Sequence, residues 1–130
     1  MENNLPSMDQ WLREAKSDPS LPKTGMYLVH NGVVRSTAKK TVREGMEGIP
    51  EVLAMDFSYD RDGVEGLRQD TLKLPGIFYA RVWLNQGRLL AGDDIMYVLI
   101  GGDTRPHVID GLNFLVGGIK DRFVKEIELY

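Results

Sequence analysis

The sequence predicts an α+β fold with a mainly antiparallel sheet and one long helix. Three observations carry that expectation. Helical and strand patterns are intermixed along the chain. The early connections are of hairpin length, which joins antiparallel neighbours. A single long run with helical apolar spacing begins at Pro106. The 130 residues suit one domain over the whole of 1–130.

The elements follow in order. Ser7 to Lys16 reads as a short helix, with Ser7 as N-cap, Gln10 as its capping-box partner, and Met8, Trp11, Leu12 and Ala15 on one face. Ser17 to Lys23 is a loop punctuated by two prolines. Gly25 to Arg35 is a long strand in which Gly32 signals a bulge or a close backbone approach. Glu51 to Tyr59 returns as a strand, and Val64 to Leu74 has the spacing of an acidic, exposed helix. Gly76 to Leu84 alternates with both faces apolar, so Arg81 needs a partner or an interface. Asn85 to Asp94 reads as a turn-rich link, and Ile95 to Ile100 as the most buried strand.

Pro106 opens the major helix, where its missing N–H costs nothing, and the helix is expected to reach Arg122. Val108, Leu112, Leu115 and Ile119 form its apolar stripe, with Ile109 and Val116 beside it. Gly117 and Gly118 inside a helix cost about 0.8–1 kcal/mol each relative to Ala, so close packing against another backbone is expected there. Phe123 to Tyr130 alternates as a last strand.

Composition excludes several classes. Lys+Arg is 16 and Asp+Glu 19, for a net charge of −3, with 27% charged and 42% hydrophobic residues; this is no disordered, collagen-like or nucleic-acid-coating chain. There is no cysteine, hence no thiolate zinc site and no cysteine nucleophile. The apolar runs are strand-sized, far below the roughly 20 residues of a spanning helix. Met1 to Pro6 lacks a secretion pattern, so a cytoplasmic location and no membrane contact are expected. His30 and His107 are the only histidines, and no metal-ligand spacing, nucleophile elbow, Walker loop or dinucleotide fingerprint occurs. No metal and no cofactor are expected. Aromatic and basic residues do not interleave, which disfavours nucleic acid.

Positive charge is locally concentrated. Arg35, Lys39, Lys40 and Arg43 form one group; Arg105, Lys120, Arg122 and Lys125, with His107 nearby, form another. Local basicity in an acidic chain suits a discrete anion. Arg105 at a helix start can add guanidinium donors to backbone N–H groups and the positive dipole end, or it can be an exposed residue of an ordinary capped helix. Lys120 and Lys125 flank the junction of the long helix and the last strand. They are either cations answering the helix dipole or a lysine pair near a bound anion, one of them able to act as nucleophile, acid or base.

Four stretches, in order, carry a resemblance. They are Gly25-Met26-Tyr27-Leu28-Val29-His30-Asn31-Gly32-Val33-Val34-Arg35, then Gly87-Arg88-Leu89-Leu90-Ala91-Gly92-Asp93-Asp94-Ile95, then Val98 through Lys120, then Phe123-Val124-Lys125-Glu126. Together they resemble the large, catalytic subunit of molybdopterin synthase. The resemblance implies an α/β-hammerhead type of fold and a homodimer. It implies a small ubiquitin-like sulfur-carrier partner whose Gly-Gly C-terminus arrives as a thiocarboxylate. It implies cyclic pyranopterin monophosphate as substrate and the dithiolene of molybdopterin as product. By the same resemblance Lys120 is the active-site lysine, Lys125 the second lysine, Arg35 the arginine closing the first strand motif, and Arg105 the arginine of a His-Arg pair. Thr104 stands where that pair has its His, with His107 three residues on as a substitute. A second His-Arg falls at Leu84 and Asn85, a short deletion separates Lys120 from Phe123, and the family continues in a basic tail where this chain has Tyr130. These departures keep a second expectation open, a paralogue that binds carrier or pterin without turnover.

Overall fold

The computed structural model describes residues 5–38, 43–45, 47–48 and 50–130. Its elements are α1 (Met8–Ala15), β1 (Met26–Val33), β2 (Ala54–Tyr59), α2 (Arg61–Thr71), β3 (Ile77–Leu84), β4 (Gly87–Leu90), β5 (Asp94–Gly102), α3 (Arg105–Gly118) and β6 (Val124–Leu129). A 3₁₀ turn lies at Leu21–Lys23 and a π turn at Ile119–Phe123. The class is α+β, and every strand pair is antiparallel. Among the described residues the strands form two three-stranded sheets rather than one, in the orders β1-β5-β3 and β4-β2-β6.

β5 is central because its apolar run can be covered on both faces. Met96, Val98 and Ile100 face the main core with Val108 and Leu115 of α3, Val64 and Leu67 of α2, and Met55 and Phe57 of β2. On the other face Leu99 packs with Trp11 and Ala15 of α1, flanked by Tyr27, Tyr79, Trp83 and Tyr97. Ser7 caps α1, its Oγ accepting from the Gln10 N–H at 3.3 Å; the reciprocal half of the capping box is absent because the Gln10 side chain donates to Glu14 instead. The bulge expected at Gly32 is present as a register shift between Gly32 and Val33.

Several boundaries differ from expectation for identifiable reasons. The segment read as a turn-rich link contains β4, held by pairing with β2 from Ala54↔Leu90 to Phe57↔Gly87 and by the buried Leu89. The positive φ of Gly87 and Gly92 produced the turn signature around it. α2 starts earlier and ends at Thr71, and it is not merely exposed: Val64, Leu67 and Thr71 are buried. Asp60 caps it, accepting from the Gly63 N–H at 3.1 Å. α3 ends at Gly118 and passes into the π turn instead of continuing to Arg122. Gly118 faces the Leu67 side chain, where an added Cβ would lie 2.6 Å from Cδ2, and Gly117 faces open space, so neither meets another backbone. The close helix–sheet approach is at Gly111, where a Cβ would lie 2.7 Å from Ile77 Cδ1.

Arg81 finds its partners within the fold. Its guanidinium lies 4.4 Å from the Trp11 ring centroid and is paired with Glu14 of α1. Arg81→Ala is expected to cost about 1 kcal/mol, since a half-exposed ion pair and a cation–π contact each supply about 0.5–1 kcal/mol at most. Urea denaturation followed by tryptophan fluorescence checks this.

Candidate functional site

The antiparallel turn from β5 into α3 fixes where each predicted site residue falls. α3 starts beside Gly102, and its 14 residues carry the chain about 21 Å away at 1.5 Å per residue. Thr104, Arg105 and His107 therefore stand at one end of the helix, and Lys120 stands beyond the other. β1 runs the same way, from Met26 opposite Gly102 to Val33 opposite Asp94. Arg35 follows β1 and lies at the end of that sheet remote from Arg105. Its Nε donates to the Thr37 carbonyl at 3.3 Å. Lys39 and Lys40 lie outside the described residues.

At the start of α3 the chemistry is organised around Asp103. One carboxylate oxygen accepts from the Thr104 N–H at 2.6 Å and lies 2.7 Å from His107 Nδ1. Thr104 occupies the N-cap position, yet its side chain does not cap the helix. The hydrogen bond from His107 is the main reason the Asp103 carboxyl titrates below its ordinary range. Gly76 makes this packing possible: its φ is +74°, and a Cβ there would collide with His107 and Asp103. Arg105 is exposed beside this cluster.

Beyond the other end of α3, the π turn carries Lys120 toward β6. Its Nζ lies 4.0 Å from Oε2 of Glu126, whose side chain is only 7% exposed against 39% for Lys120. Glu126 is on the inner face of β6, paired across from the core residue Phe57. Lys125, its neighbour in the strand, points to the opposite face and pairs across from Ser58. There it borders a groove of about 330 Å³ with Asp56, Phe57, Ser58, Gly87, Arg88 and Ile127. The two lysines flanking the junction are thus on different faces of the sheet.

His30 joins the Lys120 end. It shares the inner face of β1 with Met26 and Leu28 and is half-buried. Burial, and then the positive charge of Lys120, push its pKa below the ordinary 6.5. The unfolded chain therefore takes up this proton before the folded one does. Stability associated with His30 is complete above about pH 6.5 and declines as pH falls toward the folded-state pKa. Urea unfolding at about pH 7.5 and about pH 5.5 is expected to show a smaller pH-dependent loss in His30→Phe than in the parent chain.

The grouping that sequence reasoning missed is Lys120 with Glu126 and His30. His30 carries a signal, since it is in phase with Met26 and Leu28 in β1; Glu126 carries none, since it is in phase with Val124 and Glu128 and out of phase with Ile127 and Leu129. Among the described residues no group of three or more His, Asp or Glu side chains is placed to hold a metal ion, and no helix is long and apolar enough to cross a membrane.

No family model matches the sequence, and no curated protein does. Solved structures do match along nearly the whole chain. Molybdopterin synthase from Staphylococcus aureus aligns with a TM-score of 0.74 at 15% identity, covering 98% of this chain and 87% of that one. The molybdopterin biosynthesis MoaE protein from Burkholderia ambifaria MC40-6 gives 0.71 at 17% identity, covering 97% and 85%. The chain has the MoaE fold. A protein–protein complex of subunits 1 and 2 of molybdopterin-converting factor from Helicobacter pylori 26695 gives 0.64 at 13% identity, covering 95% and 79%. On this MoaE fold the six predicted site residues occupy separate places within one protomer: Thr104, Arg105 and His107 at the start of α3, Lys120 at its far end, Lys125 on the outer face of β6, and Arg35 after β1.

Proposed function

We propose that this protein is a divergent large subunit of molybdopterin synthase. It transfers sulfur from the thiocarboxylated Gly-Gly end of a small ubiquitin-like carrier to cyclic pyranopterin monophosphate, building the dithiolene of molybdopterin in the cytoplasm. The observation that carries this reading is the end-to-end likeness to the Staphylococcus aureus synthase, 98% of this chain at a TM-score of 0.74. The two-subunit Helicobacter pylori complex supports a small partner.

In this reading Lys120 meets the carrier's thiocarboxylate or the pterin and assists acyl or proton transfer, with the nearly buried Glu126 carboxylate holding its ammonium in place. Lys125 stabilises developing negative charge, and Arg35 and Arg105 hold the phosphate or the carrier's tail. Arg105 and Lys120 act on one substrate when two copies associate and the Arg105 end of one protomer meets the Lys120 end of its partner. His107 takes part through Asp103, and Thr104 contributes its backbone N–H to the same carboxylate.

One observation favours a second reading. The Asp103 carboxylate already sits at the positive end of α3, where an incoming anion would be received. A module that binds carrier or pterin without turnover is consistent with that occupation. Mixing the protein with a thiocarboxylated cognate carrier and the pterin precursor separates the two. Dithiolene product supports the synthase; carrier binding without product overturns it in favour of the module.

A further inference from the structure

Asn31-Gly32 is the one asparagine–glycine pair in the sequence. Such a pair is chemically labile, because glycine has no side chain to keep its nitrogen away from the asparagine amide carbon. In this fold the pair sits at an irregular place. β1 is an edge strand of its sheet, and its register with β5 shifts between Gly32 and Val33. Asn31 is exposed to water.

The folded chain nevertheless holds the amide. Asn31 Nδ2 donates across to Oδ1 of Asp94 at 3.1 Å and to the Met96 carbonyl at 3.2 Å, and it lies 3.3 Å from the Gly32 carbonyl oxygen. The other Asp94 carboxylate oxygen accepts from the Tyr97 hydroxyl at 2.9 Å. Both of these donors to Asp94 are uncharged. The cross-strand bonds fix the side chain, and pairing with β5 keeps the backbone extended. Attack on Asn31 Cγ by the Gly32 nitrogen requires both to turn, so it waits for local opening of the strand.

We propose that Asn31-Gly32 is a deamidation site held latent by the β1–β5 pairing, and that its reaction acts as a one-way latch. When this stretch of the edge strand opens, the Gly32 nitrogen loses its proton and bonds to Asn31 Cγ. The Cγ–Nδ2 bond breaks, and ammonia leaves with that proton. Water then opens the cyclic imide to aspartate or isoaspartate. The product has lost the N–H donor and brings a second carboxylate against Asp94. Like charges at this range oppose re-pairing of the strands. Isoaspartate adds a backbone carbon as well, which throws the following side chains out of register. The reacted strand therefore opens more often than the parent strand, at the end that leads to Arg35. The inference is independent of the proposed reaction.

The test has two arms. In the first, the full chain is incubated in mildly alkaline buffer, folded or in urea, beside a peptide spanning Val29–Arg35 in the same two buffers. Mass spectrometry of proteolytic fragments counts asparagine, aspartate and isoaspartate at position 31. The folded chain reacts only while open, so its reaction is expected to run at least about tenfold slower than that of the peptide, with urea abolishing the difference. Equal rates in folded chain and peptide overturn the latency. In the second arm, Asn31→Asp mimics the charge of the product. It is expected to lower the urea midpoint, and Asp94→Asn in that background should recover most of the loss while giving no gain in the parent chain. An unchanged midpoint in Asn31→Asp overturns the latch. A loss that Asp94→Asn does not relieve overturns it too, because the loss then belongs to the bond with Met96 and not to the paired carboxylates. The first arm needs no variant, so it stands even where Asn31→Asp fails to fold.

Discussion

Lys120→Ala is expected to slow dithiolene formation by about 10²- to 10⁴-fold, the range of one positioned proton-transfer group. Its side chain is 39% exposed, so its loss leaves the core intact, and the unfolding midpoint of the variant should stay near that of the parent. Lys120→Arg separates the possible roles of the amine. Arginine keeps the positive charge yet does not give up its proton, so it restores anion binding without restoring turnover where the lysine must lose a proton. Single-turnover assays with thiocarboxylated carrier read both effects. Full activity in Lys120→Ala would remove the residue from the chemistry.

Leu115→Ala is expected to give the largest loss of stability, about 2–5 kcal/mol. Leu115 is fully buried in the layer where α3 meets β5 and α2, and truncation leaves a cavity that rigid strands on one side cannot collapse to fill. Against a typical total of about 5–15 kcal/mol, such a loss moves the urea midpoint substantially. Ile109→Ala, one turn and a half earlier and 40% exposed, is the control, with a change within about 0.5–1 kcal/mol. Similar losses at both positions would contradict the assignment of the buried stripe.

The two predictions draw on parts of the sequence that differ in legibility. The stripe of Val108 and Leu115, which Ile119 continues into the π turn, is readable because helical periodicity and burial coincide in α3. The α1 cap and the central β5 were readable for the same reason: local signal and tertiary role agree. β4 is not, since four residues that open on Gly87 and run into the turn at Gly92 carry more turn signal than strand signal, and only the partner β2 makes them a strand. The π turn was also hidden, because nothing in Ile119-Lys120-Asp121-Arg122-Phe123 distinguishes it from a last helical turn.

The candidate site was half legible. Basic residues near the ends of α3 could be picked out by type, but their separation within one protomer could not. Helix length alone separates Arg105 from Lys120, and strand alternation alone places Lys125 across the sheet from Glu126. The companions that Lys120 does have, Glu126 and His30, come from strands far apart in the chain. Spacing carries no information about such meetings; parity hints only at His30, in phase with Met26 and Leu28.

The inward Glu126 of β6 has a consequence for the edge of the second sheet among the described residues. β6 is an outer strand with exposed apolar side chains such as Ile127, which would otherwise invite a foreign strand to add on. A strand docking alongside would close over Glu126 and strip the water that reaches the Lys120 ammonium, at a cost that backbone hydrogen bonds repay poorly. The Lys120–Glu126 pair at this corner is thereby expected to guard it against aggregation. Glu126→Val would test that second duty: the chain should become prone to self-association even where its fold is unchanged.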